Sequence, residues 1–293
     1  MRIQHRPIRT IAWALFTAAA LTARAEDHHF FWEVKGAHNT VYLLGSVHML
    51  KPADSALPAV VLRAYDRSTT LVMELNLNDI GAEQLLGAGL ESALLPEDQT
   101  LAETLGSELY ASYLAHAKPL GLDPEMTARY QPWFATLLLE QLTLARSGLE
   151  ANSGIDMQLA KRAAGDHKTL VGLETMADQL GIFSHLSLEQ QRQYLRTTLQ
   201  QLDTQDTDVA QVVRAWQHGD TATMERLLRE EAADSPQLFR MLTSDRNHRW
   251  LPKVTALLND DHDDLVVVGA MHLVGKDGLI ELLRAQGNDP VQH

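Results

Sequence analysis

Four short apolar runs constrain this chain most: Val41-Tyr42-Leu43-Leu44, Leu71-Val72-Met73, Thr169-Leu170-Val171 and Leu265-Val266-Val267-Val268. None contains a charge, and each is too short for a helix. None alternates in a way that would leave one face in water. Runs of this kind read as strands buried on both faces of a mostly parallel sheet, which requires helices against the sheet. A fifth run, Phe30-Phe31-Trp32-Glu33-Val34, precedes the first, and Lys35-Gly36-Ala37-His38-Asn39 between them reads as a hairpin turn.

The remainder reads as helix. Apolar residues recur at three- and four-residue spacing over 57–65, 132–146, 155–164, 188–201, 209–217, 223–231 and 237–249. Asp206 and Ser235-Pro236 are helix starts, and Pro252 is expected to kink or break the apolar pattern that runs from Leu238 to Leu258. The expected fold class is therefore α/β: a central, mostly parallel sheet with an N-terminal β-hairpin, covered by helices, with large helical insertions over 78–167 and 176–260.

The first 25 residues are set apart. Arg2, Arg6 and Arg9 precede an apolar run from Ile11 to Leu21, and Ala23-Arg24-Ala25 follows, the order of a signal peptide. Cleavage near Ala25 is expected, leaving one domain, residues 26–293, in the periplasm or secreted. No later segment reaches the roughly 20 apolar residues of a spanning helix, so no membrane partner is expected after cleavage. Residues 1–25 hold four arginines and no acid, so their removal takes the formal charge from −13 to −17. That balance argues against nucleic acid and anionic lipid as partners. With no cysteine in the chain, disulfides, thiolate metal sites and cysteine nucleophiles are excluded, and any metal must be held by His, carboxylate and water.

The strand ends carry the chemistry. The first run leads into Gly45-Ser46-Val47-His48, the second into Glu74, the third into Gly172-Leu173-Glu174 and the last into Gly269-Ala270-Met271-His272. Ligands of open α/β sheets bind beyond the carboxyl ends of the strands. In each turn the glycine is expected to let the chain bend, so that His48 and His272 project into that crevice. Two imidazoles and one carboxylate suit a catalytic divalent ion with positions open to water. Glu74 is expected to be a ligand or a general base, and Arg246 to orient a carboxylate or stabilise an oxyanion. Glu174 reads instead as a cap for the helix starting near Thr175, and Asp156 as a first-turn carboxylate that favours the helix dipole. His28 and His29 read as a loose tail. There is no His-Glu-x-x-His, Gly-x-Ser-x-Gly or phosphate loop.

Several segments together resemble the TraB/PrgY/GumN family, which is related to the Tiki proteases. They are Val41–His48, Leu71–Leu75, Gly154-Ile155-Asp156, Val171–Thr175, Asp245–Trp250 and Val267–Gly278, in the family's order. The resemblance implies a metal-dependent protease with His48, Glu74 and His272 at the metal, Arg246 and Asn247 as further polar site residues, and manganese or cobalt as the ion, with zinc also open to such a donor set. The Tiki membrane anchor has no counterpart here. The expected function is thus an exported metal-dependent hydrolase of peptide or small-molecule substrates. The alternative is a non-catalytic periplasmic protein that sequesters a peptide, haem or metal ligand.

Overall fold

A computed structural model describes residues 28–76, 92–202 and 205–293. The expected signal peptide lies outside the described residues, as does the stretch 77–91 at the start of the first helical insertion.

Six strands form one sheet: β1 (Phe31–Lys35), β2 (Thr40–Ser46), β3 (Thr70–Leu75), β4 (Thr169–Glu174), β5 (Asp264–Gly269) and β6 (Val291–Gln292). Their spatial order is β4-β3-β5-β2-β1-β6. β2, β5, β3 and β4 are mutually parallel along that row, while β1 pairs antiparallel with β2 and with β6. The mostly parallel sheet and the N-terminal hairpin are as the apolar runs imply. β6 is two residues long and carries no signal in the sequence.

Every residue of β2 is buried, as are the first five of β3 and of β5. β4 departs from expectation. It is the edge strand, and Thr169 and Val171 are exposed while Leu170 is buried. An edge strand covered on one face needs only alternate apolar positions inside.

The long helices follow the apolar spacing. Pro132–Arg146 and Leu188–Gln201 match the expected bounds, and Ile155–Gly165 is one residue longer than expected. The first two pack together around Tyr113, Leu139 and Leu195, a cluster distinct from the sheet core. Pro252 does not break its helix, which runs through it from Ser244 to Leu257. The interruption falls earlier, at Thr243, where φ −124° and ψ −83° end the preceding helix Pro236–Leu242. Pro252 is exposed, so water can meet the backbone carbonyl that its missing N–H leaves free. His29 is not loose either: its N–H donates to the His293 carbonyl beside β6.

The sheet order has one consequence for function. β5 sits between β2 and β3, with Ser46 opposite Gly269 and Leu75 opposite Glu174. The four strand ends that carry His48, Glu74, Glu174 and His272 therefore lie on one edge.

Candidate functional site

The His48 turn is held in place by the start of the helix Ile155–Gly165. Ile155 N–H donates to the Val47 carbonyl, and a Cβ on Gly154 would stand 2.1 Å from the His48 carbonyl oxygen. Only glycine admits that approach. Asp156 follows, and its Oδ1 lies 3.1 Å from His48 Nδ1. Asp156 is thus a first-turn carboxylate, as expected, and also the partner that orients His48. Trp216 Nε1 donates to the Gly45 carbonyl at 2.7 Å and pins the other end of the turn.

His272 ends a short 3-10 turn, Ala270–His272, directly after β5. Three residues of the helix Ser244–Leu257 hold it. Asn247 Oδ1 is 2.7 Å from His272 Nδ1, while Asn247 Nδ2 donates to the His272 and Asp277 carbonyls. The Trp250 ring packs 4.6 Å from the imidazole, and Arg246 Nη1 reaches His272 Nε2 at 3.0 Å. The Arg246 guanidinium also lies over Trp250. Spacing of i, i+1 and i+4 puts all three on one helix face.

Glu74 and Glu174, from adjacent strands, share this guanidinium. Arg246 Nη2 donates to Glu74 Oε2 at 2.5 Å and to Glu174 Oε1 at 2.6 Å, and Nε donates to Glu174 Oε2. The expected capping role of Glu174 belongs to its neighbour: Thr175 and Asp178 form the capping box of the helix Met176–Ser184. Glu174 is 9% exposed and belongs to the crevice. Gln179, which nothing in the sequence singles out, adds a donor to both carboxylates.

The two glycines of the Gly-x-x-His turns act through close approach rather than a sharp bend, since neither has positive φ. A Cβ on Gly45 would stand 2.7 Å from Phe30 Cδ1 and 3.0 Å from Ala270 Cα, so Gly45 is a packing glycine. A Cβ on Gly269 would stand 3.3 Å from Glu74 Oε1, 3.5 Å from His48 Nε2 and 3.5 Å from His272 Cδ2. Side chains separated by more than two hundred residues thus line one small space that glycine leaves open.

Charge states follow from these contacts. Burial works against ionising Glu74, but His272, Arg246, His48 and the Gly269 N–H together outweigh it, and its pKa falls to about 2. Burial, helped by Arg246 and His48, drives the His272 pKa to about 3 against the pull of Glu74, leaving a neutral imidazole. Asn247 uses its amide N–H groups on carbonyls, so its oxygen faces His272 and fixes the proton on Nδ1. His48 behaves oppositely. Desolvation in the crevice lowers its pKa, but the Asp156 hydrogen bond and charge, with Glu74 behind them, raise it to about 9. Its side chain is 62% exposed, so solvent screens part of that gain.

The donor set fits a divalent cation: His48 Nε2, Glu74 Oε1 and the edge of the His272 ring border one space, His272 Nε2 lies 3.9 Å from Glu74 Oε1, and each Nδ1 is engaged by an oxygen acceptor, the usual outer arrangement of metal-binding histidines. As they stand, the three donors are spread more widely than the 4.8 Å that groups Asp260, His262 and Asp264. A shared ion therefore requires the exposed His48 ring to turn inward and shed the proton that Asp156 favours, and Arg246 Nη1 to yield the His272 Nε2 lone pair.

Fold and site together define an α/β protein with a histidine–carboxylate crevice at the carboxyl edge of its sheet. The chain belongs to the TraB/PrgY/gumN family, whose profile matches residues 30–291. It is 24% identical over 274 residues to the uncharacterised protein YbaP of Escherichia coli K12, covering 92% of this chain and 99% of that one. It is 22% identical over 292 residues to an uncharacterised protein of Treponema pallidum, covering 95% and 87% respectively. No solved structure matches the chain significantly. Among the described residues, no helix is long and apolar enough to cross a membrane.

Proposed function

We propose that this protein is an exported metal-dependent hydrolase acting on peptides. The observation that carries this reading is the pair of imidazoles, each with Nδ1 oriented by an oxygen, on the space above Gly269 that Glu74 Oε1 also borders. When bound, manganese, cobalt or zinc would lower the pKa of water and polarise a carbonyl.

The residues divide the work as follows. His48 and His272 hold the ion through Nε2. Glu74 joins them as a ligand. Its carboxylate also stands where it could take a proton from the attacking water. Asn247 and Asp156 set the imidazole orientations. Arg246 is buried and shared between two carboxylates, so it positions Glu74 and balances charge rather than gripping substrate. A cavity of about 550 Å³ opens beside His48 and Met271, with Leu144, Val209 and Leu227 in its apolar wall and Glu140 and Glu230 among its acids. It offers room for a substrate side chain next to the ion.

One observation favours the second reading, a non-catalytic binder of a peptide, haem or metal ligand. Arg246 already hydrogen-bonds both carboxylates and occupies the His272 Nε2 lone pair. The readings separate by turnover. Full-length protein stripped of metal and reloaded with manganese, cobalt or zinc is incubated with a mixed peptide library. New termini that disappear in His48→Ala and His272→Ala support the hydrolase. Retention of intact peptide supports the binder.

A further inference from the structure

The amino end of β5 carries a second group of ligating side chains, which plays no part in the crevice. It lies roughly 17 Å from Gly269 at about 3.3 Å per strand residue. The segment Asp260-Asp261-His262-Asp263-Asp264 holds four acids in five residues. Two of them are accounted for. Asp261 is exposed, and Asp263 turns toward β2, where its Oδ1 accepts from the Thr40 N–H at 2.8 Å. The others face one another: one ligand atom from each of Asp260, His262 and Asp264 lies within 4.8 Å of the other two.

An independent observation points to a missing partner. Asp264 is 0% exposed, and neither of its carboxylate oxygens receives a hydrogen bond. His262 Nε2 stands 3.3 Å from Oδ1. A buried carboxylate with no hydrogen bond is costly, and it is relieved by protonation or by a cation. The backbone cannot readily turn Asp264 out to water. Asn39 Nδ2 donates to the His262 carbonyl at 2.8 Å, Thr69 N–H donates to the Asp263 carbonyl at 2.7 Å, and Asp264 itself pairs with Val41 and Thr70 on both flanks.

We propose that Asp260, His262 and Asp264 form a structural binding site for a divalent cation of the zinc or manganese class. Two carboxylates and an imidazole are the donors such ions take, whereas an imidazole suits calcium poorly. The cation joins the loop to the start of β5, and through β5 to β2 and β3, at the end of the sheet opposite the crevice. This site is independent of the hydrolase reading.

The test is equilibrium dialysis of Zn²⁺ against the full chain, with thermal melts in parallel. The set comprises wild type, the double variant His48→Ala/His272→Ala, His262→Ala and Asp264→Asn. The crevice double variant is expected to keep one equivalent of zinc and a zinc-dependent rise in Tm. His262→Ala, at a ring that is 44% exposed, is expected to fold and to lose one equivalent relative to wild type. Should Asp264→Asn fail to fold, His262→Ala still decides. Zinc uptake in His262→Ala equal to wild type overturns the site, as does a crevice double variant that binds none.

Discussion

Asn247 Oδ1 stands 2.7 Å from His272 Nδ1, and this contact decides which imidazole nitrogen faces the crevice. Asn247 can play that part because its amide nitrogen is committed to the His272 and Asp277 carbonyls. Asn247→Ala removes the orienting acceptor and takes the amide donor from the His272 and Asp277 carbonyls. Affinity for manganese or zinc in a chelator competition should fall about 10- to 100-fold, the usual cost of losing such a partner. Stability should fall by about 1–3 kcal/mol in urea unfolding. Unchanged metal affinity would remove Asn247 from the site.

Arg246 balances two buried carboxylates, with its own side chain 6% exposed and those of Glu74 and Glu174 10% and 4%. Arg246→Met fills much the same volume but leaves both carboxylates uncompensated. A loss of about 3–5 kcal/mol in urea unfolding at pH 7 is expected. Adding Glu74→Gln to that variant should restore part of the loss, because one stranded charge disappears. A double variant no more stable than Arg246→Met would show that charge balance is not what Arg246 contributes.

The two turn glycines should respond differently to one methyl group. Gly45→Ala must move Phe30 or Ala270, and a cost of about 1–3 kcal/mol in stability is expected. Gly269 has φ −52°, open to alanine, and the added methyl group meets its neighbours at 3.3–3.5 Å. Gly269→Ala should therefore fold with little change in Tm and yet bind the crevice cation far more weakly, because the methyl group occupies the space between His48, Glu74 and His272. Equal metal binding by Gly269→Ala and wild type in dialysis would separate that space from the ion.

Glu140 gives a pH-dependent prediction. Burial, with Glu231 nearby, raises its pKa above 4.5 despite hydrogen bonds from Tyr194 and Thr198. A carboxyl with a raised folded-state pKa costs stability once the pH exceeds its unfolded value, since the unfolded chain then releases a proton that the folded chain retains. The cost is absent below about pH 4 and grows as the pH rises through the folded value. Glu140→Gln can keep contacts to both hydroxyls without the charge. Its Tm should match wild type near pH 4 and equal or exceed it at pH 7, whereas Glu140→Ala should melt lower at both. A Glu140→Gln variant less stable at pH 7 than at pH 4, relative to wild type, would reverse the sign.

Much of this protein was legible from local pattern. Charge-free runs such as Leu265–Val268 read as strands, and the helix Pro132–Arg146 is written in its apolar spacing and its proline start. The Gly-x-x-His turns and Glu74 were visible because strand ends are where an α/β sheet places its ligands. Glu174 was misread because its cap position looked sufficient, and its partner Arg246 is 72 residues away. Asp156 was half read: its place in the first turn is local, but its contact with His48 spans 108 residues. Trp250 lay within a segment already singled out, and its i+4 relation to Arg246 is the signal that could have placed it on the site face.

The sequence by itself determined the elements, because hydrophobic period, caps and glycines act over a few residues. It also settled the absence of cysteine chemistry. Only the tertiary structure decided the partnerships: β5 between β2 and β3, one guanidinium between two carboxylates, and Asn247 against His272. Those contacts arise from strand order and helix placement, which bring distant residues within hydrogen-bonding distance only after the whole sheet has assembled.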